Sequence, residues 1–112
     1  MKINKPWGSE ELIESNEKYT LKKITMLSSH CCSLQYHNKK HETFFVISGK
    51  LKFTYGADPQ HLTTKILVPG ESFTIPPKLI HRMEGVEDAV YLEASTSELD
   101  DVVRLEDLYG RK

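Results

Sequence analysis

The sequence predicts an all-β protein, a small sandwich or barrel, and three observations support this. Short runs rich in β-branched and aromatic residues recur at intervals of about 8–12 residues, as in such folds. Glycine and proline separate these runs, and no long segment has the period of an α-helix. The length of 112 residues suits one domain, so we expect residues 1–112 to fold as a single unit.

The predicted strands follow one another along the chain, and most of them end at a turn signal. Leu51, Phe53 and Tyr55 alternate with polar neighbours, which is typical of a half-buried strand, and Gly49 before it predicts a tight hairpin. Trp7 is predicted to pack an N-terminal strand against the barrel. The predicted strands are 19–27, 33–37, 43–48, 50–55, 63–68, 72–75 and 89–93, with 100–108 as a helical turn or a final strand. The predicted core contains Phe44, Phe45, Val46, Ile47, Leu51 and Phe53.

Composition excludes several classes of partner and predicts a cytoplasmic protein. The formal net charge of −1 offers no electrostatic reason to bind nucleic acid or an anionic membrane. No apolar run approaches the ~20 residues of a transmembrane helix, and the N-terminus lacks the apolar stretch of a signal peptide. The only cysteines, Cys31 and Cys32, are neighbours that rarely bridge well, which fits a reducing compartment. One of them is predicted to face the core and the other to face outward.

Two segments carry the residue types that can hold one divalent cation. The first contains Gln35, His37 and Glu42, and the second, much further along the chain, contains His81. Two imidazoles, a carboxylate and an amide provide mixed nitrogen and oxygen ligation. Gln35, His37 and Lys39 alternate, so on a strand they would share one face. We therefore expect a metal site that faces inward at the mouth of a barrel, with Gln35 either a fourth ligand or an amide that orients His37.

Taken in order, the motifs of this chain resemble the cupin superfamily. Within it they resemble the isomerase domain of type II mannose-6-phosphate isomerases. The motifs are Lys5-Pro-Trp-Gly-Ser, Ser33-Leu-Gln-Tyr-His, Val46-Ile-Ser-Gly, Ile75-Pro, His81-Arg82 and Val103-Arg-Leu-Glu-Asp-Leu-Tyr-Gly-Arg111. The resemblance implies a single cupin domain, a jelly-roll β-barrel of the double-stranded β-helix type. That domain often follows a guanylyltransferase in bifunctional enzymes, but this chain has no glycine-rich nucleotide loop, so we expect no nucleotidyl transfer.

The resemblance also implies an activity, the metal-dependent interconversion of mannose 6-phosphate and fructose 6-phosphate through an enediol intermediate. The metal would be one divalent ion held by Gln35, His37, Glu42 and His81. Zn²⁺ is expected first, with Co²⁺, Mn²⁺, Ni²⁺ or Fe²⁺ as alternatives. Two further functions stay open. One is a different metal-binding cupin that acts on another sugar or sugar-nucleotide derivative, and the other is a non-catalytic sugar-binding cupin.

The general base and the phosphate-binding residues are less narrowly defined. Lys39, His41, Glu84 and a metal-bound hydroxide all remain candidates for the base. Lys39, Arg82 and Arg111 are candidates for binding the substrate phosphate. The alternatives are a solvated turn lysine for Lys39, a structural ion pair for Arg82 and a frayed terminus for Arg111. Exposed sheet edges in so small a barrel favour pairing, so a homodimer is expected.

Overall fold

The computed structural model describes residues 1–98 and 100–106, and this part of the chain forms eleven strands. The strands are β1 Lys2–Lys5, β2 Gly8–Ser15, β3 Thr20–Met26, β4 Leu34–Tyr36, β5 Glu42–Ser48, β6 Leu51–Asp58, β7 His61–Leu67, β8 Ser72–Ile75, β9 Ile80–Gly85, β10 Ala89–Ser95 and β11 Val103–Glu106. One antiparallel sheet has the order β1-β2-β3-β10-β5-β8, and the other has the order β11-β4-β9-β6-β7. Among the described residues, no helix is long and apolar enough to cross a bilayer.

The core lies between the two sheets and is built by alternate residues of their strands. Phe44 of β5 and Phe53 of β6 meet edge to face, with ring centroids 5.1 Å apart, and both are fully buried. Trp7 is also buried, which agrees with its predicted packing role. Phe45 and Ile47 were predicted to belong to the core, and this is wrong, because each is 45% exposed. Since side chains alternate along β5, only one face of this apolar strand can meet the core.

The prediction of a hairpin at Gly49 is also wrong, although the turn itself is present. Gly49 has a φ of +81°, but β5 pairs with β10 and β8 whereas β6 pairs with β7 and β9. The chain therefore crosses from one sheet to the other at this glycine. A β-carbon there would lie 2.1 Å from the carbonyl oxygen of Asp88, so the crossing requires glycine.

The C-terminal segment resolves the choice between a helical turn and a strand. Residues 103–106 form β11, which pairs with β4, and residues 107–108 lie outside the described residues. Strand β2 was not among the predicted strands. Its sequence, Gly-Ser-Glu-Glu-Leu-Ile-Glu-Ser, is mostly polar and has no buried residue, so alternation gives only a weak signal there.

Candidate metal centre

His37, Glu42 and His81 meet inside the barrel, as the sequence predicted. The ligand atoms of the three side chains all lie within 4.8 Å of one another, and each residue is 4% exposed or less. Glu42 Oε1 lies 3.0 Å from His37 Nε2 and 3.4 Å from His81 Nε2. His37 directly follows β4 and His81 lies on β9 of one sheet, whereas Glu42 begins β5 of the other sheet. The site therefore spans the gap between the sheets.

Backbone carbonyl groups fix the orientation of both imidazoles. His37 Nδ1 donates to the carbonyl oxygen of Asp101 at 2.6 Å, and His81 Nδ1 donates to that of Leu79 at 2.9 Å. A histidine that donates through Nδ1 can bind a cation through Nε2 once that nitrogen carries no proton. Both Nε2 atoms point toward Glu42, so the two rings are aligned for the same ligand before it binds.

The spacing of these donor atoms fits one divalent metal ion. With ligand bonds of about 2.0–2.2 Å, two ligands of a tetrahedral ion lie roughly 3.3–3.5 Å apart. The distances of 3.0 and 3.4 Å from Glu42 Oε1 to the Nε2 atoms of His37 and His81 are close to that value. Two imidazoles and a carboxylate suit Zn²⁺ and several other first-row ions, so the group can hold a metal without defining which one.

Gln35 lies beside this group, and its amide oxygen is held by a neighbouring hydroxyl. Gln35 is in register with His81 on β9 and with Arg104 on β11. The Ser33 hydroxyl donates to Gln35 Oε1 at 2.5 Å, and Gln35 lines the same cavity as the histidines. Ser33 therefore orients the amide, and direct ligation of a metal by Gln35 stays a prediction.

Lys40 was not singled out from the sequence, yet its ammonium group lies against the candidate ligands. Lys40 is only 6% exposed, and its Nζ lies 3.5 Å from Glu42 Oε2. Burial alone would lower the pKa of Lys40, but the negative charge of Glu42, followed by that of Glu93, raises it overall. Burial alone would likewise raise the pKa of Glu42, but hydrogen bonds from His37 and His81 and the charge of Lys40 lower it. The site thus contains an ionised carboxylate and a buried cation.

Lys39 does not share the inward face with Gln35 and His37, so that part of the prediction is wrong. Strand β4 ends at Tyr36, and the alternation of its side chains ends there too. Lys39 consequently lies exposed on the turn that follows. Lys40 lies two residues before Glu42, where the chain enters β5. This spacing is the sequence signal that would have predicted both side chains on the same inward face.

Asp101 is the second residue that the sequence analysis missed. Its carboxylate accepts hydrogen bonds from the backbone N–H groups of Asn38, Lys39 and Lys40, at 3.0, 2.6 and 2.9 Å. These bonds, that from Lys39 most strongly, lower the pKa of Asp101 to about 2. Together with the bond from His37 Nδ1 to its carbonyl oxygen, they tie the turn between β4 and β5 to the C-terminal segment. Because Asp101 lies more than sixty residues from this turn in the sequence, no local pattern could predict the contact.

The structure does not bring the other predicted catalytic and phosphate-binding side chains to the cavity. His41 is exposed, and Glu84 lies on the face of β9 opposite to His81. Arg82 also points away from His81. Its Nη1 lies 3.0 Å from Glu106 Oε1, and its Nε donates to the carbonyl oxygen of Cys32. This agrees with the alternative of a structural ion pair. The prediction for Arg111 lies outside the described residues.

The cavity beside the candidate ligands has a volume of about 150 Å³ and contains several charged groups. Among the described residues, four cationic side chains line it: Lys5, Lys22, Lys40 and Arg104. Glu93 lines it as well, and burial together with the charge of Glu42 raises the pKa of Glu93 to about 8. The cavity can therefore accept an anionic ligand close to the His-Glu-His group.

The prediction that one of the two cysteines faces outward is wrong. Cys31 is buried, and Cys32 is partly buried and lines the cavity rather than facing outward. Cys32 Sγ accepts a hydrogen bond from the backbone N–H of Met83 at 3.2 Å. Burial raises the pKa of the Cys32 thiol to about 12, so this thiol stays protonated at neutral pH.

Sequence comparison identifies relatives over almost the whole chain. The family model described as mannose-6-phosphate isomerase C-terminal matches residues 1–107. Mannose-1-phosphate guanylyltransferase ManC of Salmonella typhimurium is 32% identical over 119 residues, covering 97% of this chain and 23% of that protein. Xanthan biosynthesis protein XanB of Xanthomonas campestris pv. campestris is 30% identical, covering 98% of this chain and 24% of that protein. The chain thus spans about a quarter of the length of these curated relatives.

Structural comparison confirms the predicted cupin-type jelly roll. The capsular polysaccharide assembling protein CapF of Staphylococcus aureus superposes with a TM-score of 0.82 at 19% identity, covering 95% of this chain and 34% of CapF. Oxalate decarboxylase OxdC of Bacillus subtilis superposes with a TM-score of 0.78 at 23% identity, covering 94% of this chain and 30% of OxdC. At such identities the likeness concerns the fold alone.

Proposed function

The chain belongs to the mannose-6-phosphate isomerase C-terminal family, and we propose that it is a metal-dependent isomerase that interconverts mannose 6-phosphate and fructose 6-phosphate. The observation that carries this proposal is the buried group formed by His37, Glu42 and His81, which opens onto a cavity lined by cationic side chains. The first feature would bind the reacting oxygens of the sugar, and the second would bind its phosphate.

His37, Glu42 and His81 would hold the divalent ion, with Zn²⁺ as the first expectation. When bound, the ion would polarise the substrate carbonyl and stabilise negative charge on the oxygen without redox chemistry. The bonds from His37 to Asp101 and from His81 to Leu79 keep the rings in place, so little reorganisation accompanies binding. The barrel wall of Phe44, Phe53 and Ile75 limits the access of water to the reacting carbons.

The substrate phosphate would bind to cationic side chains of the cavity. Arg104 suits this role because a guanidinium can form two parallel hydrogen bonds with a phosphate, and it lies next to Gln35 across the β11–β4 pair. Lys5 and Lys22 line the cavity from the other sheet. These residues replace Lys39 and Arg82, whose side chains lie outside the cavity. Charge-assisted hydrogen bonds of this kind are roughly twice as strong as neutral ones, so free mannose should be a much poorer substrate.

The test is turnover of mannose 6-phosphate and fructose 6-phosphate by the purified chain. Activity should disappear after chelation and return on addition of Zn²⁺, Co²⁺ or Mn²⁺. Arg104→Met should raise the KM for the sugar phosphate more than it lowers kcat, whereas Arg82→Met should leave the KM unchanged. If metal-loaded protein converts neither sugar phosphate, the proposal is wrong.

One observation favours a second candidate, a cupin that binds or converts a different sugar derivative. The chain spans only about a quarter of the length of its curated relatives, so their activities need not be those of this segment alone. Under this alternative the metal-loaded protein would bind sugar phosphates, measured by calorimetry, without converting them. The proposal of isomerase activity predicts both binding and conversion.

A further inference from the structure

Glu93 is an acidic side chain of the cavity to which neither the metal centre nor phosphate binding gives a role. It lies on β10, where Ala89, Tyr91 and Ser95 face inward at alternate positions. Its own side chain lines the cavity together with His37, Glu42 and His81. Within residues 1–98 and 100–106, no side chain forms an ion pair within 4.0 Å of its carboxylate. The carboxylate oxygens are therefore available to a bound ligand.

Strand register places Glu93 next to the candidate ligands. Ser95 lies directly opposite Glu42 in the β10–β5 pair, and Glu93 lies opposite Phe44, two residues further along. Glu93 and Glu42 are thus diagonal neighbours on one inward face, a relationship that separates backbone positions by about 7–8 Å. A sugar whose oxygens occupy the His37–Glu42–His81 group would have its adjoining carbon atoms beside Glu93.

The other titratable side chains of this wall are less suited to accept a proton from carbon. Lys22 and Lys40 are cations, and they lie 3.3 Å from Glu10 and 3.5 Å from Glu42 respectively. Glu10 is engaged by Lys22, and its strand β2 is separated from β5 by β3 and β10. Lys22 also faces Glu93 in the β3–β10 register. Burial and the charge of Glu42 raise the pKa of Glu93 to about 8, and the charges of Lys40 and Lys22 oppose that rise.

We propose that Glu93 is the general base of the isomerisation, which rests on the proposed function. Its carboxylate takes the proton from C2 of the aldose. The C2–H electron pair forms the C1–C2 double bond, and the carbonyl π pair moves onto O1. The O2 proton then passes to O1 while the Glu93 carboxylic acid protonates C1, and the O2 carbonyl of the ketose forms. The step consumes no oxidant or reductant, and the carboxylate is regenerated.

The test compares Glu93→Gln, Glu93→Asp and the exposed control Glu11→Gln as full chains loaded with the same metal. Glu93→Gln has nearly the same shape but cannot take up the proton, so kcat should fall by about 10²–10⁴-fold with little change in KM. Exchange of solvent deuterium into the sugar, followed by NMR, should stop as well. Glu93→Asp should restore part of kcat, and Glu11→Gln should match the wild type. Metal content per chain and Tm should be similar in all four proteins.

The outcomes separate this inference from the proposed function. If the wild type isomerises the sugar phosphate and Glu93→Gln retains its kcat or its deuterium exchange, Glu93 is not the base and the isomerase assignment stands. If the wild type converts neither sugar phosphate, both proposals fail. Should Glu93→Gln not fold, Glu93→Asp decides the matter. A kcat lowered about tenfold or more at unchanged KM supports the role, and an unchanged kcat overturns it.

Discussion

Each residue of the candidate metal centre has a separate physical contribution. His37 and His81 contribute imidazoles whose orientation is fixed by backbone carbonyl groups. Glu42 contributes a carboxylate that stays ionised although it is buried, because two imidazoles and Lys40 surround it. Side chains that are buried with such partners lose little conformational entropy when a ligand binds. The candidate centre is therefore organised before any metal ion binds.

Removal of either histidine should abolish metal binding. His37→Ala or His81→Ala leaves an open and weak site, because one of three or four ligands is lost. We expect about one divalent ion per chain in the wild type and close to none in these variants, measured by mass spectrometry of the metal. Lys39→Ala should keep its metal, since that side chain is exposed. Unchanged metal content in both histidine variants would contradict the ligand set.

Removal of the buried ammonium should reduce catalysis without removing the metal. Lys40 lines the cavity beside Glu42. A hydrogen bond to a charged group contributes about 1.5–3 kcal/mol, so loss of such a bond between Lys40 and the sugar phosphate should lower kcat/KM of Lys40→Met by about 10–100-fold. The matched control is Lys39→Met, which changes the exposed neighbour and should stay within twofold of the wild type. Steady-state kinetics and metal content are the measurements. Equal losses in the two variants would exclude a specific role for Lys40.

At the scale of elements, strand ends and turns decide which side chains reach the cavity. Strand β4 ends at Tyr36, and the turn after it is held by the carboxylate of Asp101. That turn exposes Lys39 and directs Lys40 to the inside. The crossing at Gly49 then carries the chain from the sheet of Glu42 to the sheet of His81. The composition of the site thus depends on two short connections.

The turn held by Asp101 should give stability a recognisable dependence on pH. The pKa of Asp101 is lowered from its ordinary value of 3.8 to about 2 in the folded state. This contribution is complete above about pH 4 and is lost as the pH falls toward 2, since the unfolded state binds the proton first. Asp101→Asn should lower Tm at pH 7. It should also reduce the fall of Tm between about pH 4 and pH 2, measured by thermal melts. Asp100→Asn, its exposed neighbour, should keep the wild-type profile.

Two glycines with positive φ allow a matched test of the crossing between sheets. Both Gly49, at +81°, and Gly70, at +91°, would be strained by a side chain. Only at Gly49 would a β-carbon meet backbone, at 2.1 Å from the Asp88 oxygen, whereas nothing lies within 4 Å at Gly70. Gly70→Ala should therefore cost about 1–2 kcal/mol, and Gly49→Ala clearly more. Denaturant melts measure the free energy of unfolding of both variants. Similar losses of stability would contradict a role for the close approach of Gly49 to Asp88.

At the scale of the whole molecule, the site exists because two sheets face each other. His81 lies on one sheet, His37 directly follows a strand of that sheet, and Glu42 lies on the other sheet. Neither sheet alone therefore contains the candidate metal centre. Packing of Phe44 against Phe53 joins the two sheets directly below it. Metal binding should therefore be coupled to folding, because the unfolded chain cannot bring these ligands together.

The assembly of the chain remains a prediction at this scale, as does its cytoplasmic location. The outer strands of the sheets, β1, β8, β7 and β11, have unpaired edges among the described residues. Exposed apolar residues such as Phe45 and Ile47 lie on β5, next to β8. We expect these features to be covered in a homodimer. Light scattering over a range of concentrations should give twice the mass of one chain, and a monomer at high concentration would contradict this.

Local patterns in the sequence were sufficient for the fold class and for the grouping of His37, Glu42 and His81. Alternation predicts strands because successive side chains point to opposite faces, and the motifs around His37 and His81 carry the chemistry of a metal site. The same local reasoning gave a hairpin at Gly49 and an inward Lys39, and both were wrong. Alternation does not reveal where a strand ends or with which strand it pairs.

The tertiary structure alone decided which other side chains join the ligands. Asp101 reaches the turn after β4 from a distant segment, and Glu93 becomes a neighbour of Glu42 only through the register of β10 and β5. Arg104 lies beside Gln35 for the same kind of reason. Pairing between distant strands is a property of the whole packed core, because burying the apolar faces of both sheets selects one register among many. A sequence read locally contains the side chains but not the distances between them.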